Sequence, residues 1–311
     1  MTVVARGLDE VIEAPSVVTI GNFDGVHRGH QALLRQLIEH GRERQAPSVL
    51  ITFEPLPREY FRGTTMPSRL TRFREKVALL APLGLDRLLC LPFNEALAQR
   101  SADYVVRELL VRGLGVHHVV VGDDFRFGQG REGDFALLQR YGAELGFGVS
   151  DLGTQAEGSE RISSTRIREL LAAGELVKAE HMLGHPYFIM GRVVYGRQLG
   201  HTLGVPTANI QLQRYRAALE GVFVVEVNGL DRPYQGVANV GVRPTVDGRQ
   251  PLLEVHLFDY SDNLYGRLLK VRFRHKLRDE RKFESLDALK TQIHRDMDQA
   301  RAWIATQGPL S

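Results

Sequence analysis

The chain has 311 residues, 43% hydrophobic and 25% charged, with 31 glycines and 13 prolines. This ordinary globular composition excludes disordered and fibrous classes, and the length is about twice what one hydrophobic core organises. The single cysteine, Cys90, excludes an internal disulfide and a thiolate zinc cluster, and the net charge of +3 divides into −2 over residues 1–184 (22 basic, 24 acidic) and +5 over residues 185–311 (18 basic, 13 acidic).

The N-terminus carries charges where a signal peptide needs an apolar stretch, and no segment approaches ~18 uncharged apolar residues, so a soluble cytoplasmic protein is expected. From there to about Gly184, short β-rich runs (Ser16–Gly21, Ser48–Thr52, Arg87–Leu91, His117–Gly122, Phe147–Leu152) alternate with amphipathic stretches (His30–Arg44, Leu70–Leu83, Ala102–Val111, Asp134–Leu145). Strand and helix in turn predict a Rossmann-like parallel sheet with a ligand crevice beyond its carboxyl edge. After Pro186 the rhythm changes to short alternating strands (Phe188–Tyr195, Val222–Val227, Tyr234–Val240, Leu252–Phe258, Leu268–Phe273) and a final amphipathic helix from about Leu286 to Thr306. This predicts a small antiparallel barrel or sandwich with a terminal helix, and a domain boundary between residues 1–184 and 185–311. The basic excess of the second part lies largely in Lys270–Lys282, where cations alternate with apolar residues as on the wet face of a half-buried strand.

Three motifs carry phosphate-type chemistry. None of the six lysines follows a glycine, which excludes a Walker A loop. Instead, Gly21-Asn22-Phe23-Asp24-Gly25-Val26-His27-Arg28-Gly29-His30 ends the first strand and opens a helix. Its glycines permit close backbone approach, and a helix N-terminus favours an anion. His27 and His30, three apart, can turn both rings to one side and donate to phosphate oxygens; a metal pair and two incidental histidines are the alternatives. The second motif, Ile162-Ser163-Ser164-Thr165-Arg166-Ile167-Arg168, puts three hydroxyls and two arginines at a helix start, which alone reads equally as an N-cap. In the third, Gly200–Asn209, Thr207 and Asn209 lie two apart on an extended chain and can ligate Mg²⁺ together beside an anion, although Pro-Thr-Ala-Asn alone reads as a turn. Glu254, inside an apolar strand, has a structural ion pair as its plainer reading.

Taken together these segments resemble the bacterial bifunctional riboflavin kinase/FAD synthetase family. The first motif is similar to the ATP loop of the nucleotidyltransferase superfamily. Thr52-Phe53-Glu54-Pro55, Val121–Gly128 and Ile162–Arg168 follow in the family's order, and Gly200–Asn209, Asn239–Thr245, Leu253–Asp259 and Leu277–Phe283 resemble its riboflavin kinase module. The resemblance implies an adenylyltransferase domain in which Gly21, Phe23, Asp24, His27, His30, Ser163, Ser164, Thr165 and Arg168 bind ATP and its phosphates. Asp124, Phe125, Phe127 and Gly128 would line its flavin side. It further implies a kinase domain with Glu254 as general base, with Gly191, Gly204, Thr207 and Asn209 on the nucleotide and Mg²⁺, and with Arg278, Glu280 and Phe283 on the flavin side. The expected partners are ATP, riboflavin, FMN and FAD, with neither nucleic acid nor membrane. The chain departs from the family pattern at Leu56, where a histidine is usual, and at Tyr195 and His201. Two rival readings stay open at this point: another acceptor for the adenylyl group, and a single-strand nucleic-acid site on the basic barrel.

Overall fold

A computed structural model describes residues 2–6, 15–122, 124–153, 156–157, 160–195, 204–245 and 248–307, without the side chains of 156–157 and 243–250. The chain divides into two compact units, Met1–Met66 with Thr71–Ser164, and Pro67–Leu70 with Thr165–Ser311.

The first unit is built on six parallel strands, β1 (Val3–Arg6), β2 (Ser16–Ile20), β3 (Ser48–Glu54), β4 (Arg87–Pro92), β5 (Val116–Gly122) and β6 (Gly148–Leu152), in the order β1-β4-β3-β2-β5-β6. Residues such as Val17, Val18, Val49, Leu50, Leu88, Leu89, Val119 and Val120 have no exposed surface, as expected of strands covered on both faces. Helix α1 (Arg28–Glu43) buries Leu33, Leu34, Leu37 and Ile38 on one face, against β2, β3 and β5. Helices α2 (Pro57–Arg62), α3 (Phe73–Leu80), α4 (Glu95–Ala98), α5 (Ala102–Tyr104) and α6 (Phe135–Leu145) complete the unit. After α5 the chain winds more widely, as a π-helix over Val105–Gly113 that buries Val105, Val106, Leu109 and Leu110. Chain connectivity runs outward from β2 to β3 and β4 on one side and to β5 and β6 on the other. The loop after β2 therefore occupies the topological switch point of the sheet.

In the second unit β9 (Phe188–Val194), β10 (Ala208–Gln211), β11 (Gly221–Asn228), β12 (Tyr234–Thr245), β13 (Gly248–Leu257) and β14 (Leu268–Arg278) close a barrel in the order β10-β13-β12-β11-β14-β9, every pair antiparallel. Between the two folds the chain forms the short ladder β7 (Ala156–Glu157) and β8 (Glu160–Arg161), then α7 (Ser164–Ala173) and α8 (Leu176–Leu183); α8 packs on β14. Gly174, at φ +79° between α7 and α8, faces the Lys276 side chain so closely that a Cβ there would displace it. The final helix α9 (Leu286–Gln307) lies on the outer wall, where Ala300, Met297 and Ile304 meet Val224 and Phe258. The basic run of β14 is largely partnered: Arg272 and Arg274 reach buried Glu226 at 2.8 and 3.7 Å, Lys276 pairs with Asp279 at 2.6 Å and Lys270 lies 4.2 Å over the Phe188 ring.

Candidate active sites

The loop Gly21–His30 is held open in an unusual backbone form. Phe23, Gly25 and Val26 have φ of 46°, 89° and 44°, and the two non-glycine residues cost of order 1–2 kcal/mol each unless their surroundings fix them. Phe23 and Val26 are 2% and 1% exposed within the cluster formed by α1, β2 and β3. The buried Asp24 carboxylate accepts the Thr71 N–H at 2.9 Å and the Thr71 hydroxyl at 3.2 Å, and that hydroxyl accepts the Gly25 N–H at 2.9 Å. The Ser164 hydroxyl donates to the Asp24 carbonyl at 2.9 Å. Lys76, with no exposed surface, donates to the Asn22 carbonyl at 2.7 Å and the Thr52 hydroxyl at 2.9 Å.

On this platform the two histidines stack, ring centroids 3.5 Å apart and planes 15° from parallel. His27 caps α1: its Nδ1 accepts the His30 N–H at 3.3 Å, which leaves Nε2 as the protonated nitrogen of the neutral ring. The Nδ1 of His30 is buried and has no hydrogen-bond partner among the described residues, which disfavours a proton there as well. Both imidazoles thus offer Nε2–H donors. Burial first, then the charges of His27 and Lys76, hold the proton affinity of His30 well below the usual imidazole value, so the ring stays neutral at physiological pH.

The other residues expected here fall into place with different weight. Phe23 packs into the core with its ring edge beside His30, centroids 4.7 Å apart, and Asp24 spends its carboxylate on the loop. Ser163 is half-buried just before α7, and Thr165 is exposed on it. Thr165 and Arg168 belong to the second compact unit, where Arg168 Nε donates to the Ser68 carbonyl at 2.5 Å. Among the residues expected on a flavin side, Asp124 is exposed and pairs with Arg161 at 3.3 Å. Phe127 is buried, while Phe125 is half-buried and stacked on it at 5.4 Å. Gly128 has φ +76°, and a Cβ there would stand 2.6 Å from the Ala102 nitrogen. Asp123 lies outside the described residues. Sequence reasoning missed Thr71 and Lys76, and also an aromatic cluster at the carboxyl ends of β3 and β4. There Tyr60 and Phe61, 41% and 68% exposed, meet Phe93 edge-on at 5.5 and 5.8 Å.

In the barrel, Glu254 of β13 stands in register with Asn209 of β10 on one side and Asn239 of β12 on the other. Leu253 and Val255 on either side of it are fully buried, so the three polar residues form a row on the outer wall. The Oδ1 atoms of Asn209 and Asn239 are both buried and accept no hydrogen bond among the described residues. A buried carbonyl oxygen without a donor suits a hard cation. Among the described residues no group of three or more His, Cys, Asp or Glu gathers. The amide oxygens fit an ion such as Mg²⁺ that shares its shell with phosphates. Thr207 lies just before β10, half-buried, and Gly204 turns at φ +78° with open space beside it. Gly191, mid-strand in β9, makes room for the Ile210 side chain.

Arg278 forms a bidentate pair with buried Asp296 of α9, at 3.0 Å (Nε–Oδ1) and 2.7 Å (Nη2–Oδ2), so its guanidinium ties helix to barrel. Glu280 packs over Gly241 and accepts from Asn239 Nδ2 at 3.5 Å, and Phe283 lies under Arg281 and Arg278 at 4.9 and 5.7 Å. The stretch 196–203, with Gly200 and His201, lies outside the described residues.

An α/β domain with a histidine loop at its switch point, joined to a closed barrel bearing a carboxylate between two amides, defines a class of two-module phosphate-handling proteins. Residues 9–166 match the family model described as FAD synthetase and residues 183–304 the one described as Riboflavin kinase. The chain is 50% identical to the bifunctional riboflavin kinase/FMN adenylyltransferase of Escherichia coli (strain K12), covering 98% of each chain. It is also 50% identical to that of Pseudomonas fluorescens, covering 93% of each. It belongs to the bifunctional riboflavin kinase/FMN adenylyltransferase family. A crystal structure titled as a macrolide-efflux protein from Streptococcus pneumoniae superimposes with a TM-score of 0.79 at 29% identity, covering 97% of this chain and 99% of that one. The efflux activity in that title stays with the pneumococcal protein; among the described residues no helix is long and apolar enough to cross a membrane.

Proposed function

We propose that this chain makes FAD from riboflavin in two steps at two sites, with residues 1–184 as the adenylyltransferase module and residues 185–311 as the kinase module. In the kinase module the Glu254 carboxylate takes the proton of the ribityl 5′-hydroxyl while that oxygen attacks the γ-phosphorus of ATP. The bond to the β-phosphate oxygen breaks and ADP leaves. Thr207, Asn209 and Asn239 would hold Mg²⁺, which when bound spreads the charge of the transferring group. The observation that carries this assignment is the register of Glu254 between two asparagines whose buried Oδ1 atoms accept no hydrogen bond among the described residues.

In the adenylyltransferase module the FMN phosphate is already anionic and needs no strong base. Its oxygen attacks the α-phosphorus of ATP, and pyrophosphate leaves. The Nε2–H groups of His27 and His30 donate to phosphate oxygens, with Ser163 and Ser164 as further donors. Phe125, Asp124 and Gly128, over buried Phe127, offer the flavin an aromatic and polar edge, and the Tyr60–Phe61–Phe93 cluster offers a second aromatic surface. ATP, riboflavin and FMN are cytoplasmic metabolites, and the enzyme acts there without nucleic acid or membrane. Separating flavins by chromatography after incubation with riboflavin, ATP and Mg²⁺ tests this reading: FMN and then FAD are expected, and the absence of both overturns it.

A further inference from the structure

Lys76 is an ammonium with no exposed surface, placed by α3 under the loop that follows β2. Its Nζ grips the Asn22 carbonyl at 2.7 Å and the Thr52 hydroxyl at 2.9 Å, and Thr52 in turn donates to the same carbonyl at 3.4 Å. One cation therefore ties the first residues of the loop to the carboxyl half of β3, immediately before Phe23 and Val26 adopt their left-handed backbone. A buried charge is expensive to desolvate and is offset only by the groups it bonds. The ammonium donates to the loop and to β3, which directs its charge toward the loop above it.

We propose that Lys76 is a positioning residue for adenylyl transfer: it fixes the loop backbone through Asn22 and places a permanent positive charge beneath the phosphates of bound ATP. The proposal rests on the reading that the Gly21–His30 loop receives those phosphates. The groups whose fields oppose a charge on His30 are His27 from the loop, when it is protonated, and Lys76 from α3. Both oppose its protonation, so Lys76 also helps to keep His30 a neutral Nε2–H donor.

The test uses the full chain with Lys76→Met and Lys76→Gln, assaying FMN formation from riboflavin and FAD formation from supplied FMN as functions of pH. Supporting residues of this kind typically cost ~10–100-fold when removed. The expected result is that kcat/KM for FAD formation falls by about that factor in both variants. The acid limb of its pH profile should move upward toward the ordinary imidazole range, and FMN formation should stay within about twofold. Unchanged FAD kinetics and pH profile overturn the proposal. So does an unfolded variant, or one that loses both activities, because Lys76 then serves the core. His30→Ala separates the two levels: if it forms FAD at the wild-type rate the reading of the loop itself fails, whereas an inactive His30→Ala beside unaffected Lys76 variants sinks only the role of Lys76.

Discussion

Single residues fix the adenylyltransferase edge through backbone as much as through side chains. Gly128 combines φ +76° with an Ala102 nitrogen 2.6 Å from where a Cβ would sit. Gly128→Ala should destabilise the protein by about 1–3 kcal/mol, read as a lower urea midpoint, and slow FAD formation while FMN formation continues. A wild-type midpoint would contradict the packing described. At this scale the pairs His27/His30 and Thr207/Asn209 were visible in the sequence, because three-residue and two-residue separations put side chains on one side of a helix start or strand, whereas Glu254 was singled out by the family resemblance alone. Lys76 and Thr71 were not legible. Their partners, Asn22 and Asp24, lie about fifty residues earlier, and only the closing of the sheet joins them. Nor could the sequence tell that Phe127 and Phe23 would be core while Phe125 stays half-open, since all three follow strands in the same manner.

Among the elements, α9 shows how a polar contact sets the place of a helix. Its apolar face meets Val224 and Phe258, but Asp296 is 3% exposed and is satisfied by Arg278 and by Gln292 at 2.7 Å. Removing one partner of a buried pair costs roughly 3–5 kcal/mol because the other charge is stranded. Asp296→Ala should therefore lower stability by about that amount, and Arg278→Met added to it should recover part of the loss. An exposed-pair value below ~1 kcal/mol would show the bond to be incidental. The sequence predicted the long strands, α1, α6 and α9 from their periodicity. It left out β1 and β10, four residues each, which are too short to show a period. It also divided the chain by rhythm, near Gly184. The segment between the two family matches, α7 and α8, is grouped by its contacts with the barrel.

For the whole molecule, pH acts through histidines held neutral. His118, set between His40, Arg44 and Ser150, is pushed down to about 4 by burial first and then by the charges of His40 and Arg44, and His30 is lowered by burial and its neighbours. An unfolded histidine takes up its proton near pH 6.5, whereas these two refuse it when folded. The contribution of His118 is then full above pH 6.5 and falls as pH drops toward 4, by about 1.4 kcal/mol per pH unit in that window, and His30 acts in the same direction. Thermal melting at pH 7.5, 6.0 and 5.0 should show a progressive decline, steeper than in a His118→Gln variant; identical slopes would contradict it.

The separation of two chemistries on two folds is tested most directly by one product analysis on the intact chain. Wild-type, His30→Ala and Glu254→Gln proteins are each supplied with ATP and Mg²⁺ and with either riboflavin or FMN, and the flavins are resolved by chromatography. His30→Ala is expected to accumulate FMN from riboflavin with FAD formation reduced ~100-fold or more. Glu254→Gln is expected to convert supplied FMN to FAD at the wild-type rate and to leave riboflavin unphosphorylated. Loss of both activities in either variant, with the melting curve unchanged, would contradict two independent sites.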